Sequence, residues 1–330
     1  MSLSDPDSCV VVCAADNNYV MPLSVTLKSI LINLEFPQKI NCFVIDGGIE
    51  ETNKQKIIRS LDSKQIAIEW LRPTDSVLNK VKVSGHVTVA TYYRLLIPDL
   101  LPQQLKKAIY LDCDLVVNED LQKLWAIDID DSYLLAVQDM GIREVSNPRG
   151  GLHNYQELGI PPNAKYLNAG VMVFNLEKWR TEKIGIQAIE YIEQNKEYVL
   201  NWDQDGVNAV LVGKWKELDP RWNQTPSVYK YRSWKDTPFP EEIYKSVIQQ
   251  PYIVHFATAI KPWHYYCEHP AKDLFFQYLD LTSWSGWRPK QPFKYLVRLG
   301  LRRLRETVKY LLKNFAWYLS LAVIRLMYYT

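Results

Sequence analysis

In the run KAIYLDCDLVV, residues 107–117, two carboxylates, Asp112 and Asp114, stand among Ile109, Tyr110, Leu111, Leu115, Val116 and Val117. An isolated charge in such a setting costs several kcal/mol, so a partner is required. Residues two apart in a strand face the same side, and both carboxylates can converge on one cation. Hard divalent ions such as Mn2+ and Mg2+ take oxygen ligands, and an imidazole among them favours Mn2+. The segment HFATAIKPWH supplies that imidazole at His255, at the end of the apolar run YIVHFA (252–257), with Lys261 six residues on. A bare D-x-D is a weak signal: 20 Asp in this chain give about one by chance, and the sequence has four. Asp5/Asp7 falls in a terminal segment and Asp128/Asp130 in a polar turn, where solvated carboxylates are expected. Asp112/Asp114 differs because it ends a strand, and open α/β sheets bind ligands beyond the carboxyl ends of their strands.

The elements that must position these groups follow an alternating pattern. CVVVCAA (9–15), INCFVID (40–46) and IAIEWL (66–71) read as strands. Between them lie a helix carrying Leu23, Leu27, Ile30, Leu31 and Leu34 and the helix ETNKQKIIRSL. TYYRLLIPDLLP reads as a short helix ended by its prolines, followed by the carboxylate strand. YLLAVQD (133–139) and NAGVMVFNL (168–176) read as further strands, the latter running into a helix through Trp179, Ile184 and Ile192. DQDGVNAVLV (203–212) reads as a helix and YIVHFA as the last strand. The fold class is α/β with a largely parallel sheet. Five cysteines without a CxxC pair read as reduced core thiols of a cytosolic protein. The first eight residues lack the pattern of a signal peptide, so Asn223-Gln224-Thr225 is expected to match the glycosylation tripeptide by chance.

The first strand is followed by ADNNY, without glycine, so neither a dinucleotide fingerprint nor a GxxxxGK[ST] phosphate loop is present. Metal-dependent nucleotidyl transfer, which also relies on a glycine-rich loop at this place, is disfavoured. Asp16, Asn18 and Tyr19 fit two readings: contacts to a base and ribose, or a polar turn capping the next helix.

Taken in order, AADNNY, TYYRL, YLDCDLVV, YLNAGVMVFNLEKWR, DQD and HFATAIKPW resemble the retaining glycosyltransferases of family 8, over roughly residues 9–280. Members include bacterial lipopolysaccharide galactosyl- and glucosyltransferases and glycogenin. The resemblance implies the A-type glycosyltransferase fold, with a Rossmann-like sheet covered by helices on both faces. It also implies a UDP-glucose or UDP-galactose donor, Mn2+ with Mg2+ as the alternative, and retention of configuration. On its terms Asp112, Asp114 and His255 are metal ligands, Asp16, Asn18 and Tyr19 contact uridine, and Lys261 meets the diphosphate. His86, Arg94, Asp139, Asn168, Asp203 and Gln204 then line the donor-sugar and acceptor pocket, with Gln204, Asp203 and Lys261 as the catalytic candidates. Outside that context Arg94 reads as a helix-surface cation, Asn168 as a turn residue and Asp203 as a helix N-cap. One residue departs from the family pattern: Thr258 stands where glycine is usual, which bears on the phosphate loop and donor affinity. It is the only support for a second reading, a UDP-sugar-binding peripheral membrane protein that turns over weakly.

The formal charge of +2 conceals an asymmetry: beyond residue 287 ten Lys and Arg face Glu306 alone. Lys294, Arg298, Arg302, Arg305, Lys309 and Lys313 recur at helical spacing beside a stripe of Val297, Leu301, Leu304, Val308, Leu312 and Phe315. The expected organisation is a catalytic domain over 1–285 and amphipathic helices over 286–330. The tail, through residues 288–330, would hold the protein peripherally on the anionic inner face of a membrane. Packing of the stripe on the catalytic domain, or oligomerisation, are the rival readings. No nucleic-acid module accompanies the basic residues.

Overall fold

The computed structural model describes residues 9–35, 39–61, 64–73 and 92–291, together with 305 and 307. The chain divides into two compact units, Met1–Pro262 with Glu268–Trp287 and Trp263–Cys267 with Arg288–Thr330. Every element and site residue discussed below lies in the first. The expected C-terminal amphipathic helices fall almost wholly outside the described residues, and His86 lies outside them too.

Strands β1 (Cys9–Ala15), β2 (Ile40–Asp46) and β3 (Ile66–Leu71) occupy the predicted segments, with helices α1 (Val20–Asn33) and α2 (Glu51–Leu61) between them. A 3-10 turn at Tyr93–Leu96 and the single-turn α3 (Ile97–Leu100) lead to β4 (Lys107–Leu111) and β5 (Leu115–Val117). Then come α4 (Leu121–Trp125), β6 (Leu134–Gln138), β7 (Leu167–Asn175), α5 (Leu176–Thr181), α6 (Ile184–Gln194), α7 (Trp202–Leu211) and β8 (Trp215–Glu217). Last are α8 (Glu241–Gln249), β9 (Ile253–His255) and α9 (Lys272–Leu279). The helix expected through Trp179 and Ile192 is broken in two, with Lys183 at a left-handed φ of 54°.

Among the described residues the main sheet has seven strands in the order β3-β2-β1-β4-β7-β6-β8. All its pairings are parallel except the two made by β7. Alternation sorts side chains onto two cores. Cys9, Val11 and Cys13 pack with Leu23, Leu27 and Ile30 of α1 and Ile57 of α2. Val10 and Val12 face the opposite layer, with Trp179, Ile184, Ala188 and Val207. Cys9, Cys13, Cys42 and Cys113 are buried thiols.

The run 107–117 is two strands, not the single strand its alternation predicts. After Leu111 the chain leaves the main sheet, and β5 pairs with β9 in a separate two-stranded sheet; β9, read within 252–257 as a strand ending at His255, spans Ile253–His255. The free edge of β5 is satisfied by side chains of α1. Thr26 donates to the carbonyls of Cys113 (3.1 Å) and Leu115 (2.8 Å), Ser29 accepts from the Val117 N–H (2.9 Å), and Asn33 donates to the Val117 carbonyl (2.9 Å). A buried backbone group left without a partner would cost about 1–3 kcal/mol, so these polar residues make the exit from the sheet tolerable.

Candidate active site

The carboxyl ends of β1 and β4 and the start of β7 lie at the same end of the central strands of the sheet. The Asp112 N–H still donates to the Gly170 carbonyl at 2.9 Å, and Asp114 follows just before β5. In the small sheet Leu115 is paired with His255, and the Phe256 N–H donates to the Asp114 carbonyl at 2.9 Å. This register brings an imidazole from far along the chain onto two carboxylates. Ligand atoms of Asp112, Asp114 and His255 all lie within 4.8 Å of one another.

Each carboxylate divides its oxygens between the protein and that meeting point. Asp112 Oδ1 accepts from the Tyr110 hydroxyl (2.7 Å) and pairs with Arg94 (2.9 Å), while Oδ2 lies 3.6 Å from His255 Nε2. Asp114 Oδ2 pairs with Lys261, and its Oδ1 lies 3.3 Å from His255 Nε2. Burial pushes the Asp114 carboxyl up, but His255, while its ring is protonated, and the Lys261 ammonium outweigh it and hold it well below the usual carboxylate range. Two carboxylate oxygens and one imidazole nitrogen turned on a common point fit a divalent ion of the Mn2+ type.

Arg94 is not a surface cation. Its Nε lies 3.0 Å from Asp203 Oδ2, its Nη1 donates to the Ala169 carbonyl at 3.0 Å, and its guanidinium stacks 5.0 Å from the centre of the Tyr110 ring. Burial alone would lower its pKa; Asp112 and Asp203 reverse that and raise it. The Ala169 N–H donates to Gln204 Oε1 at 3.0 Å, so both polar groups of this β7 residue are held by side chains, those of Arg94 and Gln204. Asp203 sits within the first turn of α7, behind Asn201 at the N-cap position, so the capping reading is set aside. The residue before it, Trp202, has φ of 40°, in the left-handed region that side chains rarely adopt. Asp205 instead holds the turn, accepting from the Leu200 (2.7 Å) and Asn201 (2.8 Å) N–H groups and from the Tyr166 hydroxyl.

Burial lifts the Asp203 carboxyl to about 6, with Arg94 opposing the shift and Asp112 adding to it. A folded-state value above the ordinary one means this group favours the fold when protonated, and the contribution is lost as pH rises through about 6. Asp203→Asn cannot ionise. In metal-free buffer the variant therefore gains stability relative to the parent between about pH 4 and pH 7, by on the order of 3 kcal/mol for a shift of about two pKa units. Urea unfolding midpoints across that range check this; a difference independent of pH would refute it.

In the first loop Asp16 Oδ1 accepts from the Asn18 (2.9 Å) and Tyr19 (3.2 Å) N–H groups, so the polar turn is formed. Asn17 ties the loop to the chain ahead of α2 by accepting from the Glu50 N–H at 3.1 Å. Burial and the neighbouring Asp114, Cys113 and Asp112 raise the Tyr19 hydroxyl. Thr258 is exposed and is not among the residues with positive φ, so the strain expected of a β-branched side chain there does not arise.

Asp139 follows the last residue of β6 and accepts from the Gly141 (2.8 Å), Ile142 (2.9 Å) and Asn168 (2.7 Å) N–H groups. Sequence reasoning missed three residues. Tyr110 was available, since alternation puts it on the Asp112 side. Gly170 leaves room for the site: a Cβ there would fall 2.2 Å from His255 Cε1. Asn223 is fully buried, with Oδ1 2.9 Å from His255 Nδ1 and Nδ2 donating to Asn168 Oδ1 at 2.8 Å. Its match to a glycosylation tripeptide is a coincidence of spelling.

The chain resembles known proteins in both sequence and structure. It is 33% identical to general stress protein A of Bacillus subtilis over 278 residues, covering 83% of this chain and 94% of that protein. It is 25% identical to the lipopolysaccharide 1,3-galactosyltransferase of Salmonella typhimurium, covering 86% and 81%. The crystal structure of the galactosyltransferase LgtC with donor and acceptor sugar analogs superposes with a TM-score of 0.70 at 26% identity, covering 87% of this chain and 98% of that one. The sheet order and the helices on both faces are thus those of the A-type glycosyltransferase fold. The sequence profile of glycosyl transferase family 8 matches residues 10–267, and the chain belongs to that family.

Proposed function

We propose that the protein transfers glucose or galactose from a UDP-sugar to a glycan or lipid-linked acceptor, of the lipopolysaccharide type, with retention of configuration. The observation that carries this reading is the convergence of Asp112, Asp114 and His255, flanked by the cations Lys261 and Arg94. Asp112, Asp114 and His255 would hold a divalent ion, Mn2+ by the donor set, which would supply positive charge to the departing diphosphate. Lys261 lies beside Asp114 and adds its ammonium to the same charge. The acceptor hydroxyl attacks the anomeric carbon as its bond to the β-phosphate oxygen breaks, and the hydroxyl proton passes to that oxygen. Asp203 and Gln204 are proposed to face the donor sugar from the side opposite the diphosphate. Gln204 is a poor nucleophile with its carbonyl committed to Ala169, and Asp203 is engaged by Arg94, so attack from the leaving-group side is favoured. Asp16, Asn18 and Tyr19 are proposed to receive the uridine, and Asn168 and Asp139 to border the sugar.

A screen of UDP-sugars with Mn2+, reading UDP release, tests this. Release with UDP-glucose or UDP-galactose is expected. Binding of a UDP-sugar without release would favour the weakly active reading, and release of pyrophosphate would indicate nucleotidyl transfer.

The basic segment 288–330 is proposed to hold the enzyme on an anionic membrane surface, each cation near the surface contributing about 1 kcal/mol. No helix among the described residues is long and apolar enough to cross a membrane. Truncation after Gly286 is expected to abolish recovery with phosphatidylserine-containing liposomes while UDP release with a soluble acceptor persists. Equal recovery of both forms would defeat the idea.

A further inference from the structure

We infer that Asn223, Asn168 and Asp139 form a hydrogen-bond relay that decides which ring nitrogen of His255 carries the proton, keeping Nε2 bare for a divalent cation. The inference rests on the metal-binding reading of Asp112, Asp114 and His255 given above.

The polarity of the relay follows from a donor that cannot be reversed. The Gly170 backbone N–H meets Asn168 Oδ1 at 3.0 Å, so that atom is the amide oxygen, and the nitrogen faces Asp139 Oδ2 at 2.7 Å. Asp139 is suited to receive it, since its other oxygen already accepts the N–H groups of Gly141 and Ile142. Asn168 Oδ1 has a second neighbour, an amide atom of Asn223 at 2.8 Å, and an oxygen can only accept. That atom is therefore the Asn223 nitrogen, which leaves Asn223 Oδ1 toward His255 Nδ1 at 2.9 Å. By the same logic Nδ1 carries the proton, and in the neutral ring Nε2 presents its lone pair to Asp112 and Asp114.

The surroundings keep water from reshuffling this order. Asn223 is 0% exposed, His255 3% and Asn168 7%. The backbone that carries Asn223 is tied to β9: the Gln224 N–H donates to the Ile253 carbonyl (3.0 Å) and its carbonyl accepts from the His255 N–H (2.9 Å). The two ends of the Asn223–His255 bond are thus positioned by one backbone pairing. Asn223 acts through His255, and is a positioning residue. With the opposite tautomer a proton would stand on the nitrogen that faces the carboxylates, and a cation could bind only after the ring had been re-protonated against Asn223. Partners of this kind usually contribute 10- to roughly 100-fold to metal affinity.

The direct test is 15N NMR of the full-length protein with labelled histidine at mildly alkaline pH and without metal, the His255 signals being identified by their loss in His255→Gln. Nδ1 is expected to show the shift of a protonated ring nitrogen; a bare Nδ1 with the proton on Nε2 alone overturns the relay whatever the metal does. Calorimetric titration with Mn2+ alone supplies the second readout. Asn223→Leu removes the acceptor and is expected to weaken Mn2+ binding by about 10- to 100-fold. In Asn223→Asp an acceptor remains for Nδ1, so the tautomer and most of the affinity should be kept. Wild-type affinity in Asn223→Leu would overturn the relay. A protein with the expected tautomer that binds no Mn2+ would instead sink the metal reading and leave the relay standing.

Discussion

Asp112→Asn lowers UDP release from the preferred UDP-hexose by on the order of 10²- to 10³-fold, while the protein stays folded. Replacement of one oxygen by an amide nitrogen is a small steric change, but its orientation is dictated by the surroundings. The Tyr110 hydroxyl and Arg94 Nη2 both donate to Asp112 Oδ1. The variant's amide oxygen is held there, and its NH2 group is turned toward His255 Nε2 and the point where the three ligand atoms converge. Two N–H dipoles then face a cation where a carboxylate oxygen stood. Arg94 keeps its bond to Asp203, so the guanidinium is not left buried without a counter-charge, and the fold cost stays modest. Chelation of the parent protein is expected to have the same effect on turnover, with Mn2+ restoring it. UDP release and a thermal midpoint, measured side by side, check the two halves of this outcome. Unchanged consumption of UDP-sugar in Asp112→Asn would remove the metal from the mechanism.

Much of the frame was legible from alternation alone. β1, β2 and β3 lie where apolar runs of strand length put them: β1 and β2 are buried on both sides, and β3, at the edge of the sheet, is largely half-buried. What alternation does not report is the partner of a strand. The run 107–117 keeps its period across Asp112–Asp114, yet its two halves belong to different sheets, since Thr26, Ser29 and Asn33 replace the missing ladder. The carboxylates therefore meet His255 through the pairing of β5 with β9, and not by sharing one face of a strand. The reversed direction of β7 is equally invisible, being a property of long-range pairing. Asp203 carries the residue type of a helix cap at a helix start, and only the packing of Arg94 against it reveals an ion pair. Asn223 left no trace because a single buried amide has neither period nor spacing.

Gly170→Ala abolishes tight Mn2+ binding, weakening it by about 100-fold or more, and lowers rather than raises stability. The sign is informative. Gly170 is not among the residues with positive φ, so alanine suits the backbone, and relief of unfolded-state entropy alone would stabilise the protein by about 0.4–1 kcal/mol. Space decides otherwise. The added Cβ would lie 2.2 Å from His255 Cε1, 2.8 Å from Nδ1 and 3.0 Å from Asp112 Oδ2. None of these is the loose end of a flexible chain: the ring is buried and bonded to Asn223, and Asp112 is held by Tyr110 and Arg94. Either the ring moves off Asn223 or β7 shifts away from β4, and overpacking of this kind costs about 1–3 kcal/mol. Both responses separate the ligand atoms, because Gly170 lies beneath two of the three. Calorimetry with Mn2+ alone and urea unfolding of the same preparation read the two effects independently. A Gly170→Ala protein that is more stable than its parent and binds Mn2+ as tightly would mean that His255 and Asp112 do not lean on this glycine.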